Sequence, residues 1–166
     1  MVDEKGSGLW VVAATFTLAM LLAVISLPEF VPWELGYLRP QWVLLVLIYW
    51  VIALPHRIGI LVAWTAGLLV DILLGSLLGQ HGIAFIVVAY IASSLYQRLR
   101  MFAVWQQGLI VFATIGLSQL INLWIENIAG LSTWSPWYLL PAFVSALVWP
   151  WIFLSLRYLR RFFYVT

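Results

Sequence analysis

A single carboxylate stands in the middle of one apolar segment, which reads GLLVDILLGSLLGQHG from Gly67 to Gly82. An α-helix would place four of its residues, spaced by four, on one face: Gly67, Asp71, Gly75 and Gly79. An ionised aspartate facing lipid near the bilayer centre costs about 2.5–3.5 kcal/mol, whereas glycines let another backbone approach closely. We therefore predict that this face packs against protein, within the chain or in a partner, with Asp71 as its polar anchor.

The sequence alone does not identify the group that interacts with Asp71. Arg39 is the most plausible cation, because it is the one basic residue expected on the same side of the membrane. Alternatively, Asp71 is protonated, since burial disfavours the charged form, or it caps a neighbouring helix. An intramembrane carboxylate is also a functional-site hypothesis by default, so a structural role and a functional role both remain possible.

A second polar stripe follows the same spacing at Ser118, Asn122 and Glu126. With Asp71 and His81 it could line a small cavity open to the outer face. We favour the simpler interpretation, in which Glu126 lies at the solvent-exposed end of a helix. Ser118 and Asn122 would then form hydrogen bonds to carbonyls of their own helix or across to a neighbouring helix. The predicted outer polar cluster comprises Arg39, Ser118, Asn122 and Glu126.

Catalytic and metal-binding patterns have little support. The chain has no cysteine, and neither of its two histidines lies near a nucleophile elbow or a zincin motif. A metal site built from Asp71, His81 and Glu126 would lack any usual ligand spacing. The net charge of +2 is too small to indicate nucleic-acid binding. We expect no enzyme activity, no cofactor and no metal.

The composition indicates which elements position these residues. The 166 residues are 65% hydrophobic and 8% charged, with a mean hydropathy of +1.07, which a soluble domain of this length could not hide. A spanning helix needs about 20 apolar residues. We predict one all-α membrane domain with six transmembrane helices, at about 8–27, 41–54, 58–78, 82–96, 103–125 and 138–156. The second and fourth predicted spans are short, so we expect them either to include flanking residues or to pack against neighbouring helices that reduce their contact with lipid.

Basic residues predict the orientation. Six spans would place seven Lys and Arg residues on one side and only Arg39 on the other. The positive-inside rule then puts both termini in the cytoplasm. Three of the seven share one helical face in the C-terminal tail, where we predict a membrane-surface anchor that contacts anionic lipids at about 1 kcal/mol per basic residue. A dock for a cytosolic protein is the alternative for these three, Arg157, Arg160 and Arg161.

Four stretches together resemble one known family. They are LRPQWVLLVLIYWVIALPHRIG (38–59), GLLVDILLGSLLGQHG (67–82), FAVWQQGLIV (102–111) and LVWPWIFLSLR (147–157). Their order along almost the whole chain is similar to the MreD family, the small membrane component of the bacterial rod-shape machinery, and most like its proteobacterial branch.

The resemblance implies a multi-pass protein of the bacterial inner membrane that associates with MreC. Through MreC it would join MreB filaments, RodA and the penicillin-binding partner of RodA in lateral peptidoglycan synthesis. It also implies a six-helix fold like that of the S components of energy-coupling-factor transporters. The expected function is a non-enzymatic scaffold, and a small-molecule uptake subunit is the alternative.

Overall fold

A computed structural model describes residues 8–25, 36, 38–131 and 135–165 of the chain. These residues form six α-helices and one short 3-10 helix, Pro136–Leu139, so the predicted all-α architecture is confirmed. The helices are α1 Leu9–Val24, α2 Trp42–Ala53, α3 Ile60–Leu74, α4 Gln80–Met101, α5 Val104–Ile128 and α6 Leu140–Phe162.

Successive helices run in opposite directions, which gives the bundle two chemically different ends. At one end, which we call the basic end, Arg100 near the end of α4 bonds to carbonyls at the end of α2. At the other, which we call the Asp71 end, Gln80 at the start of α4 bonds to Glu126 near the end of α5. Six of the seven arginines in the described residues belong to the basic end, and both carboxylates belong to the other.

Helix α2 forms the centre of the bundle. Eleven of its twelve residues, Val43–Ala53, are buried, as expected for a helix that is apolar on every face. At 1.5 Å per residue it is about 18 Å long, well short of a hydrocarbon core of about 30 Å. The surrounding helices cover it, so its shortness leaves little backbone facing lipid.

Three helical segments are long and apolar enough to cross a membrane: Gln80–Met101, Val104–Ile128 and Pro136–Phe162. The segments around α1, α2 and α3 are apolar but shorter. Helix α4 extends well beyond the predicted 82–96, because it takes in polar residues at both ends. The chain is therefore a helical membrane protein, and the number of spans stays a prediction.

Two fully buried tryptophans connect the helices through their indole N–H groups. Trp50 of α2 donates to Thr15 Oγ1 of α1 at 2.9 Å. Trp149 of α6 donates to Gln107 Oε1 of α5 at 3.1 Å, and Gln107 Nε2 donates in turn to the Leu99 carbonyl of α4 at 2.9 Å. A buried indole N–H needs an acceptor, so these bonds fix the register of α1, α5 and α6.

Candidate functional site

Helices α3 and α4 make a close backbone approach at Gly67. A Cβ placed on Gly67 would lie 2.5 Å from the Cα of Gly82 and 2.6 Å from its nitrogen. Any side chain at Gly67 would therefore collide with the backbone of α4. Gly67 was predicted to face protein, and the protein that it contacts is helix α4 of the same chain.

The predicted helical face does not continue beyond Asp71, so this part of the interpretation was wrong. Helix α3 ends at Leu74 because Gly75 adopts a left-handed conformation (φ +65°), and Gly79, at φ +95°, precedes the first residue of α4. A Cβ at either glycine would meet no atom within 4 Å. Both glycines thus serve the turn between two helices and do not form a helix-packing surface.

The carboxylate of Asp71 is buried and, when His81 Nδ1 carries the imidazole proton, accepts four hydrogen bonds. Its Oδ1 lies 2.7 Å from Ser76 Oγ, 2.7 Å from His81 Nδ1 and 3.1 Å from the His81 backbone nitrogen. Its Oδ2 accepts from the Gly79 backbone nitrogen at 2.8 Å. Only an ionised carboxylate can accept at both oxygens without donating, so the geometry fits the charged form.

Asp71 replaces a missing helix cap. The residue before α4 is Gly79, which has no side chain to accept hydrogen bonds from the first turn. Asp71, from the preceding helix, accepts them instead and places a negative charge at the positive end of the α4 dipole. Of the alternatives left open by the sequence, capping of a neighbouring helix describes the contact observed. Arg39 forms no ion pair with Asp71, whose titratable neighbour within the described ranges is His81.

The contact between Asp71, His81 and Ser76 is not a catalytic triad. In a triad, the nucleophile and the carboxylate bind opposite nitrogens of the imidazole. Here Ser76 Oγ lies 3.4 Å from Nδ1, the same nitrogen that contacts Asp71, and it donates its proton to Asp71. The serine therefore lacks the contact with a carboxylate-oriented imidazole that defines a triad.

The structure separates the members of the outer polar cluster. Glu126 Oε1 accepts a 2.6 Å hydrogen bond from the Gln80 side chain. Ser118 and Asn122 are buried on α5, and Asn122 Oδ1 has no hydrogen-bond donor within the described parts of the chain. Arg39 lines a different place, a cavity of about 230 Å³ at the Asp71 end with Val70 and Phe85. Helix periodicity aligned the three α5 residues, but each has a different environment.

The basic end holds a larger cavity, of about 310 Å³, between α2, α4, α5 and α6. Four arginines contribute to its lining: Arg100, Arg157, Arg160 and Arg161. Arg100 is fixed there, because its Nε and Nη2 donate to the Ile52 carbonyl at 3.0 and 2.7 Å and Nη2 also reaches the Ala53 carbonyl at 3.0 Å. A cation on the last carbonyls of a helix satisfies unpaired acceptors and complements the helix dipole.

Several of these contacts were missed by the sequence interpretation. The sequence Gly-Ser directly after an apolar helix is a helix-stop signal, and it would have placed Ser76 in a turn beside Asp71. The pairing of Gln80 with Glu126, and of Arg100 with the end of α2, has no local signal, since the partners lie 46 to 48 residues apart. No group of three or more His, Asp or Glu side chains that could hold a metal occurs in the parts of the chain described.

Comparison with known proteins agrees with the family resemblance. The model of the family described as rod shape-determining protein MreD matches residues 5–159. The rod shape-determining protein MreD of Haemophilus influenzae is 34% identical over 148 residues, which cover 88% of this chain and 91% of the relative. No solved structure matches the chain. The chain belongs to the MreD family of rod shape-determining proteins.

Proposed function

We propose that the protein is a non-enzymatic scaffold of the cell-elongation machinery that binds MreC in the bacterial inner membrane. Through MreC it would contact MreB, RodA and the penicillin-binding partner of RodA. It would cross the membrane six times, with both termini in the cytoplasm and the tail arginines against anionic lipid. Family membership over residues 5–159 is the observation that carries this proposal.

The polar contacts favour a scaffold over an uptake subunit. A pocket for a small molecule needs several convergent polar groups that remain free for the ligand. At the Asp71 end, the side chains of Asp71, Ser76 and His81 bond to one another or to the turn, and Gln80 bonds to Glu126. These groups stabilise the bundle itself. The cavity beside Arg39 is lined mainly by apolar side chains of the described residues, such as Val70 and Phe85.

Copurification distinguishes the two functions. The tagged full chain is expressed together with MreC from the same bacterium, solubilised in mild detergent and recovered by its tag. We expect MreC to be recovered in a defined ratio. A single-span membrane protein of similar size serves as the control for nonspecific recovery.

Mass spectrometry of the same preparation supplies the opposing outcome. If MreC is absent and a stoichiometric small molecule is bound, the protein is an uptake or binding subunit and the scaffold proposal is wrong. If MreC is recovered and no small molecule other than phospholipid is bound, the scaffold proposal stands.

A further inference from the structure

The cavity at the basic end carries positive charge that no carboxylate of the described residues neutralises. Four arginines line it, and neither Asp71 nor Glu126, the carboxylates in the described part of the chain, is among the lining residues. Like charges brought together repel one another, more strongly when they are partly removed from water. A bound anion would offset this repulsion, so the cavity favours a negatively charged ligand.

Several N–H groups of these arginines form no hydrogen bond within the described residues. Arg100 uses Nε and Nη2 to bond the carbonyls of α2, which leaves the two N–H groups of Nη1 for a ligand. No described residue accepts a hydrogen bond from the guanidinium of Arg157 or Arg161 in this structure. All three C-terminal arginines lie within electrostatic range of the Tyr49 hydroxyl.

The shape of the cavity supports a bound group and not only a charged surface. At about 310 Å³, it falls at the lower end of the range for ligand pockets. Tyr49 and Gln107 are almost fully buried and form its inner wall. Guanidinium groups bind phosphate oxygens in a bidentate manner that a lysine cannot reproduce. Four arginines around one cavity favour an anion with several acceptor oxygens and more than one negative charge to share among them, as phosphate groups have.

The surroundings identify the source of the phosphate. Large aromatic side chains near the cavity are exposed: Trp105 by 67%, Tyr158 by 68% and Phe162 by 62%. Exposed aromatic residues at one end of a membrane helix bundle are typical of the interface where lipid headgroups lie. Basic pockets between membrane helices at that depth bind phosphate headgroups.

We infer that Arg100, Arg157, Arg160 and Arg161, with Tyr49, form a specific binding site for the phosphate headgroup of an anionic phospholipid. This differs from a diffuse attraction of the C-terminal tail to the membrane surface, because one headgroup would occupy one cavity lined by four helices. The site is at the opposite end of the bundle from Asp71. It rests on the membrane location and not on MreC binding.

Native mass spectrometry of the full chain tests the inference. The detergent-solubilised protein is titrated with cardiolipin, with phosphatidylglycerol and with zwitterionic phosphatidylethanolamine. The test variant is Arg157→Gln with Arg160→Gln, because neither side chain holds a helix end as Arg100 does. The matched control is Arg57→Gln with Arg98→Gln, which removes two exposed charges from the same end without touching the cavity.

We expect one tightly bound anionic lipid per chain and a loss of affinity of about tenfold or more in the cavity variant, since hydrogen bonds to charged groups are lost. The control variant should bind nearly as the natural chain does. Lysine at positions 157 and 160 should restore binding only in part. Equal loss in both glutamine variants would show diffuse attraction and overturn the inference.

Two further outcomes are decisive. Inorganic pyrophosphate added to the lipid-bound protein should not displace the lipid. Displacement at a concentration similar to that of the lipid would assign the cavity to a soluble phosphoanion and overturn the lipid assignment. If the cavity variant binds lipid weakly but still recovers MreC, the lipid site and the scaffold function are separate, as we infer.

Discussion

Replacement of Asp71 by asparagine removes one charge and leaves the shape of the side chain unchanged. The amide keeps one acceptor oxygen and puts an NH₂ group in place of the other. In the better orientation, the oxygen retains Ser76 and His81, and the NH₂ group faces the Gly79 N–H, which loses its acceptor. In the other orientation the His81 backbone N–H loses its acceptor, and Ser76 Oγ and His81 Nδ1 would have to accept from the NH₂ group instead of donating.

The orientation that retains Ser76 and His81 gives the smallest loss of unfolding free energy. A hydrogen bond to a charged group contributes about 1.5–3 kcal/mol, and the remaining bonds weaken once the acceptor is neutral. We expect Asp71→Asn to lower the free energy of unfolding by at least about 2 kcal/mol, which corresponds to a midpoint lower by roughly 4–8 °C for a chain of this size.

Thermal unfolding of the detergent-solubilised chain, followed by the fluorescence of its eleven tryptophans, measures this change. Glu126→Gln is the control, because it removes a carboxylate from the same end that accepts one side-chain hydrogen bond from Gln80. Its midpoint should fall less. A midpoint for Asp71→Asn within 1 °C of the natural chain would refute the ionised, four-bond description and indicate a protonated Asp71.

Four other predictions follow from the same contacts. Gly67→Ala should destabilise the chain by about 1–3 kcal/mol, because its Cβ would collide with α4; an unchanged midpoint would contradict the close approach. Substitution of Gly75 by alanine or by leucine should cost a similar 1–2 kcal/mol or so from left-handed strain, since no atom lies nearby to clash; a much larger loss for leucine would show a packed surface. Arg100→Gln should speed hydrogen exchange at the end of α2, whereas Arg98→Gln should not. A topology reporter fused after Gly79 should read as periplasmic, and a cytoplasmic reading would overturn the six-span orientation.

The sequence predicted that Asp71 faces protein but did not identify the groups that bind its carboxylate. Gly67 and Asp71 were both expected to face protein, and they are buried in the α3–α4 contact. The four-residue spacing wrongly predicted that the helical face continues through Gly75 and Gly79, because helix α3 ends before Gly75. Glycine after an apolar helix fits both a packing stripe and a left-handed cap, and spacing does not separate the two.

Long-range partners account for the other differences. Arg39 was assigned to Asp71 because both were expected on the same side of the membrane, but groups five to ten residues beyond the carboxylate bind it instead. Likewise, the spacing of Arg157, Arg160 and Arg161 gave one shared face correctly. That this face meets Tyr49 and Arg100 depends on how α2 and α4 pack, and no local pattern encodes that arrangement.

Site-specific photocrosslinking in living rod-shaped cells tests the scaffold proposal most directly. A photoreactive amino acid is introduced at one exposed apolar position on each outer helix: Leu18, Ile72, Tyr90, Trp124 and Trp151. A position in the buried helix α2, Trp50, is the control. We predict a crosslink to MreC from at least one outer position and none from Trp50. If the variants support rod shape and no outer position crosslinks to MreC, the proposal that this protein is an MreC-binding scaffold is wrong.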